Sequence, residues 1–206
     1  MRKATELTSD FNAPLREELL RRNVMREALL RRAKHKKADF VRRYREFNYE
    51  SKAILENVYE QYGWPGPQIV GRDGVEACFW LGLSDANNSQ FQYRSAQLMK
   101  DSLPRGECYG VPYAITVDRW LNLSYQPTLF GTFNDFNEES GCVEYTSDVV
   151  DSKNLNKRRA EVGLRDFVTE NQELKQRALD KKWPRHSQSD WKKMKRKWAL
   201  EGGYIS

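Results

Sequence analysis

The segment Tyr62-Gly63-Trp64-Pro65-Gly66-Pro67 decides how the first third of this 206-residue chain folds. Proline has no amide to donate and its ring clashes with the preceding turn, while glycine suits the left-handed residue that ends a helix. No helix crosses such a stretch. Upstream of it, Phe40, Tyr44, Phe47, Ile54, Leu55, Val58, Tyr59 and Tyr62 recur at helical spacing. Further back, Asn12 stands as a cap before Ala13-Pro14, with Glu17 and Glu18 in the first turn, where carboxylates suit the helix dipole. Leu15, Leu19, Leu20, Val24, Ala28 and Leu29 continue the helical pattern, so two helices, or one long bent helix, precede residue 63.

Beyond the break the pattern is of short helices joined by polar loops. Arg72–Leu83 carries Val75, Cys78, Phe79 and Gly82 on one face; Phe91, Ser95, Leu98 and Met99 form a second stripe, and Ala114, Val117 and Leu121 a third. Leu129–Phe133 and Cys142–Thr146 are aromatic and β-branched, and the polar stretch Asn134–Gly141 between them predicts a hairpin turn. A helix from Asp151 or Ser152 ends near Gly163, and another runs from Asp166 to roughly Lys182 and stops at Trp183-Pro184. In the tail, Trp191, Met194 and Trp198 again share a helical face. The expected fold is mainly α: a compact helical domain with one small antiparallel β-hairpin and basic helical extensions.

Charge is sorted along the chain. Residues 1–48 balance at +7, residues 49–151 at −9 and residues 152–206 at +8. This division predicts a basic helical arm at 1–48, a core domain at 49–170 and a basic helical tail at 171–206. Each arm could meet phosphate, or solvent, or the acidic middle of the same chain. No apolar run approaches the ~20 residues that span a bilayer, and no apolar stretch follows Met1–Glu6 as a secretory signal requires. Three cysteines, Cys78, Cys108 and Cys142, form no Cys-x-x-Cys pair, and the two histidines, His35 and His186, lie in the basic arms. Structural zinc needs four ligands at recognisable spacing, so no metal and no cofactor is expected, and the thiols suit a reduced, cytoplasmic protein. Asp85–Gln90 places oxygen ligands as a calcium loop does. It lacks the glycine at the sixth position (Gln90) and the glutamate at the twelfth (Ala96), which leaves an Asx-rich turn capping the next helix.

The residues able to do chemistry cluster in the middle. Asp118-Arg119 interrupts an apolar helix, and a charge pair near a buried stripe must find partners. Gln126, Thr132, Arg158 and Arg159 are the polar residues that could converge on it. Arg119 and a later arginine could hold a carboxylate or phosphate by paired hydrogen bonds. A structural pair between Asp118 and Arg159 is the preferred alternative. Asp85 and Asp118 are the sensible proton acceptors, with Trp64 and Trp80 as walls.

These residues also resemble a known family. Gly63-Trp64-Pro65, Val70-Gly71, Ala77, Trp80-Leu81, Phe91-Gln92, Leu98-Met99, Asp118-Arg119, Gln126, Gly131-Thr132 and Arg158–Leu164 are similar, in order and spacing, to the bacterial domain-of-unknown-function family 6624. The resemblance spans about residues 50–170 and implies a shared fold and pocket, with no established activity. Where that family typically shows Gln-His-Ala-Asp this chain has Ser84-Asp85-Ala86-Asn87, and where the family reads Tyr-Gly-Thr-Gln it has Phe130-Gly131-Thr132-Phe133. Two functions are expected from this reading. One is a pocket protein, with or without catalysis, that takes a small anionic molecule or peptide. The alternative is a non-catalytic binding module whose basic arms engage nucleic acid or an acidic protein, with nucleic-acid binding marginal at physiological salt.

Overall fold

A computed structural model describes residues 11–32, 37–84, 88–137, 142–145, 148–180 and 188–205. Asp85 and the side chain of Trp191 lie outside what is described. The helices are α1 (Ala13–Arg32), α2 (Lys37–Tyr62), α3 (Pro67–Ser84), α4 (Ser89–Ser102), α5 (Gly110–Leu123), α6 (Leu155–Glu161), α7 (Phe167–Asp180) and α8 (Gln188–Glu201). Strands β1 (Asn134–Asn137) and β2 (Cys142–Tyr145) form an antiparallel pair with Asn134 opposite Tyr145 and Asn137 opposite Cys142. The expected mainly helical chain with one small hairpin is what forms. The hairpin starts later than expected, however: Leu129–Phe133 is loop, and the polar Asn134–Asn137 is the strand. Among the described residues, no helix is long and apolar enough to cross a membrane.

By packing, the chain divides into two units. One comprises residues 1–85 with 97–108, the other 86–96 with 109–206.

In the first unit, α1 begins where expected. The Asn12 side chain accepts from the Leu15 amide at 3.0 Å, which satisfies one of the donors a helix start leaves open. The Asn12 amide donates to the Ile69 carbonyl at 2.8 Å. That carbonyl is available because α3 is broken at Gly71 (φ 70°, ψ 167°), a conformation open essentially to glycine alone. Just past the break, Asp73 accepts from the Gly74 amide at 2.9 Å and pairs with Arg16 of α1, whose guanidinium holds the carboxyl below its ordinary value. Leu19, Leu55, Tyr59, Trp64, Val70 and Cys78 are buried in this unit. Other α1 arginines are spent nearby: Arg21 and Arg22 on Glu18, Arg31 on Glu27.

Trp64 is 2% exposed and leans on Tyr59, with ring centroids 5.9 Å apart. Trp80 is less covered than Trp64. It is half-buried, covered by the Arg26 guanidinium 5.1 Å from its ring and by Phe79 at 4.8 Å. A polar side chain forms its lid, so its outer edge stays wet.

In the second unit, Asn88 caps α4 by accepting from the Phe91 amide at 2.8 Å, the Asx turn expected there. Helix α7 holds β2: the Tyr145 amide donates to Asn171 at 2.8 Å, and buried Glu144 pairs with Lys175. The tail is built into the unit. Ala199 and Tyr204 are buried with Leu123 of α5, and Trp120, Trp198 and Ile205 pack around them. The amide of Ser89 donates to the Gly202 carbonyl at 2.7 Å.

Trp64→Ala should cost about 3–5 kcal/mol in urea denaturation, the range for a buried aromatic. Trp64→Phe should cost only about 1–2 kcal/mol, because the indole nitrogen makes no hydrogen bond among the described residues. Trp80→Ala should cost about 1–2 kcal/mol, less than Trp64→Ala, because its ring is partly exposed.

Candidate functional site

Asp118 lies on α5 between Ala114 and Leu123 and is fully buried. Its carboxylate accepts from four donors on one loop: the amides of Leu129 (2.8 Å), Phe130 (3.0 Å) and Thr132 (2.8 Å), and the Thr132 hydroxyl (2.9 Å). The loop's carbonyls are taken from the other side by α6. Arg158 donates to the Leu129 carbonyl at 3.0 Å and Arg159 to the Phe130 carbonyl at 2.5 Å. Thr128, at the loop's start, bridges to the 148–150 segment, its amide donating to Asp148 at 3.0 Å and its carbonyl accepting from Val150 at 2.9 Å. This is why Leu129–Phe133 forms no strand: the amides of Leu129, Phe130 and Thr132 and the carbonyls of Leu129 and Phe130 are already bound to side chains.

Gly131 completes the turn at φ 61°, and a Cβ there would sit 2.8 Å from the Phe167 ring. The same ring lies under the Arg159 guanidinium, 5.5 Å from centroid to carbon. Arg159 is fully buried, and its remaining donors reach the Arg165 carbonyl at 2.7 Å and Glu170 at 2.5 Å. Glu170 is therefore the carboxylate partner of Arg159, in place of the Asp118 pairing preferred from sequence. Asp118 and Arg159 instead grip one loop from opposite sides. Burial pushes the Asp118 carboxyl above its ordinary value, and the loop amides and Thr132 hydroxyl pull it part of the way back.

The structure thus brings Asp118, Thr132, Arg158 and Arg159 together. Arg119 is the next residue of α5 and is half-buried. Gln126 has an exposed side chain, and its amide closes the end of α5 on the Leu121 carbonyl at 2.9 Å. Trp64 and Trp80 belong to the first unit, as do the free thiols Cys78 and Cys108, both buried. Desolvation pushes the Cys78 thiol up, away from a reactive thiolate. Among the described residues, no three His, Cys, Asp or Glu side chains are grouped to hold a metal ion. Glu170 and Phe167 were not singled out by sequence reasoning. The available signal was Asp166 as a cap three residues before Thr169, which places Glu170 in the first turn of α7.

A different surface carries charge to spare. On α8, Lys192, Lys193, Arg196 and Lys197 are exposed, while Ala199 of the same helix is buried. Lys197 approaches Glu201 at 3.7 Å, whereas Lys192, Lys193 and Arg196 make no ion pair with another described residue.

Residues 33–181 match the Family of unknown function (DUF6624), well over half of the chain, and this protein belongs to that family. No curated protein and no solved structure matches it.

Replacing Asp118 with Ala should destabilise the chain by about 3–5 kcal/mol, because the buried amides of Leu129, Phe130 and Thr132 lose their shared acceptor. The pH dependence has a definite sign. The folded chain holds the Asp118 proton to higher pH than the unfolded chain does, so this group's contribution falls as pH rises between the two values and is flat above. Denaturation of the wild type and Asp118→Asn from about pH 3 to about pH 7 should show the wild-type advantage shrinking with rising pH.

Proposed function

We propose that this chain is a non-catalytic binding module that engages an anionic polymer through the outer face of α8. One observation carries the reading: α8 is anchored by the buried Ala199 and the packed Trp198, and it presents Lys192, Lys193 and Arg196 exposed and without described ion-pair partners. On α1, by contrast, Arg16, Arg21, Arg22 and Arg31 are neutralised by neighbouring carboxylates. Nucleic acid and acidic protein both meet this description. The cytoplasm is the proposed location, since two buried free thiols suit a reducing compartment.

Chemistry on a small anionic molecule or peptide ranks second. Its proton acceptor would be Asp118, whose oxygens already serve four donors, and its anion holders Arg158 and Arg159, whose donors serve main-chain carbonyls and Glu170.

Binding of fluorescent heparin to the full chain should weaken steeply with salt. In a Lys192→Glu/Lys193→Glu/Arg196→Glu variant the slope of log K against log salt should fall by about 2–3, close to one per lost cation. An unchanged slope would remove α8 as the binding face.

A further inference from the structure

Tyr125 occupies a backbone position that its side chain opposes. Helix α5 ends in a paired cap: the Tyr125 amide donates to the Asn122 carbonyl at 3.0 Å and the Gln126 amide to the Leu121 carbonyl at 2.9 Å. Such a cap needs a left-handed residue, and glycine fills it without strain. Helices α6 and α8 end in the same motif with Gly163 (φ 78°) and Gly203 (φ 68°) at that position. At the end of α5 the residue is Tyr125, at φ 56°. A bulky side chain there is strained, and such strain gathers at sites of function. The strain packs no core: the ring is 49% exposed, with the Lys195 ammonium 4.9 Å from its centroid.

A second exposed tyrosine is braced against α5. Tyr93 of α4 is 46% exposed and its ring lies 4.8 Å from that of Trp120 on α5. Trp120 is held by a hydrogen bond to Ser89 at 3.2 Å and by packing against Leu123, Ala199 and Tyr204. Tyr93 thus leans on the α5 ring that packs against the end of α8, and Tyr125 stands against Lys195 of α8. Lys192 and Arg196 lie within one helical turn of Lys195, and Arg94 beside Tyr93 is exposed.

We propose that Tyr125 and Tyr93, flanked by Lys192, Lys195 and Arg196, form a stacking platform for single-stranded nucleic acid. This rests on the reading of α8 as the binding face and names its partner. Braced rings with open faces suit unpaired bases, and adjacent cations suit the phosphates between them. A duplex hides its base faces inside the stack, and an acidic peptide would use the cations while leaving the strained tyrosine without a role.

The test uses the full chain with a labelled single strand of about 12 nucleotides, a duplex of equal length, and polyglutamate. The single strand should bind more tightly than either competitor. Tyr125→Gly relieves the backbone, so its thermal midpoint should be equal or higher, while its affinity for the single strand falls roughly tenfold. Unchanged affinity in Tyr125→Gly, or duplex and polyglutamate bound as tightly as the single strand, would overturn the platform. If Lys192→Glu/Arg196→Glu still abolished that binding, α8 would stand as the binding face without it. Failure of all three polymers to bind the wild type would overturn both.

Discussion

One carboxylate, Asp118, receives the amides of Leu129, Phe130 and Thr132, and the architecture of the second unit follows from that contact. A buried backbone segment without a strand partner must bond its polar groups elsewhere. Here an aspartate supplies the acceptors and two consecutive arginines supply the donors, so the loop is held on both edges as a central strand would be. Because Arg159 also reaches Glu170 and the Arg165 carbonyl, the same grip ties α6 to the start of α7. Helix α7 then holds β2 through Asn171 and Lys175. The chain of dependence runs from one side chain on α5 to the hairpin.

The first unit solves a similar problem with a neutral side chain. The break at Gly71 releases a carbonyl, and Asn12 uses it while capping α1 and donating to the Tyr62 hydroxyl at 3.1 Å. Three helix ends thus meet at one asparagine. These contacts are partly open to water, so each contributes about 1 kcal/mol, whereas the buried Asp118 network costs several times that to break.

The helices were legible because their apolar residues repeat at the helical period and their caps, Asn12, Asn88 and Asp166, are short polar side chains at the right offsets. Strand placement was not. Leu129–Phe133 has the composition of a strand, but composition reports fitness for a half-buried pleated surface, and it carries no record of a carboxylate 11 to 14 residues upstream that claims the amides. The importance of Asp118 could be read from a charge on an apolar helix; its assignment to the main chain could not. Pro127 announces the end of α5, yet a tyrosine in the left-handed cap runs against every local preference and becomes visible only in the coordinates.

The order of segments in the two units bears on how this protein can be divided. The polypeptide changes units after residues 85, 96 and 108, and the middle change falls inside the continuous helix α4. Neither unit is one uninterrupted stretch. A proteolytic nick or a gene truncation between residues 86 and 108 therefore leaves parts of both units on each fragment, and no single cut separates one unit from the other. The two units must be inherited, expressed and shuffled together, as one gene segment rather than as two portable modules.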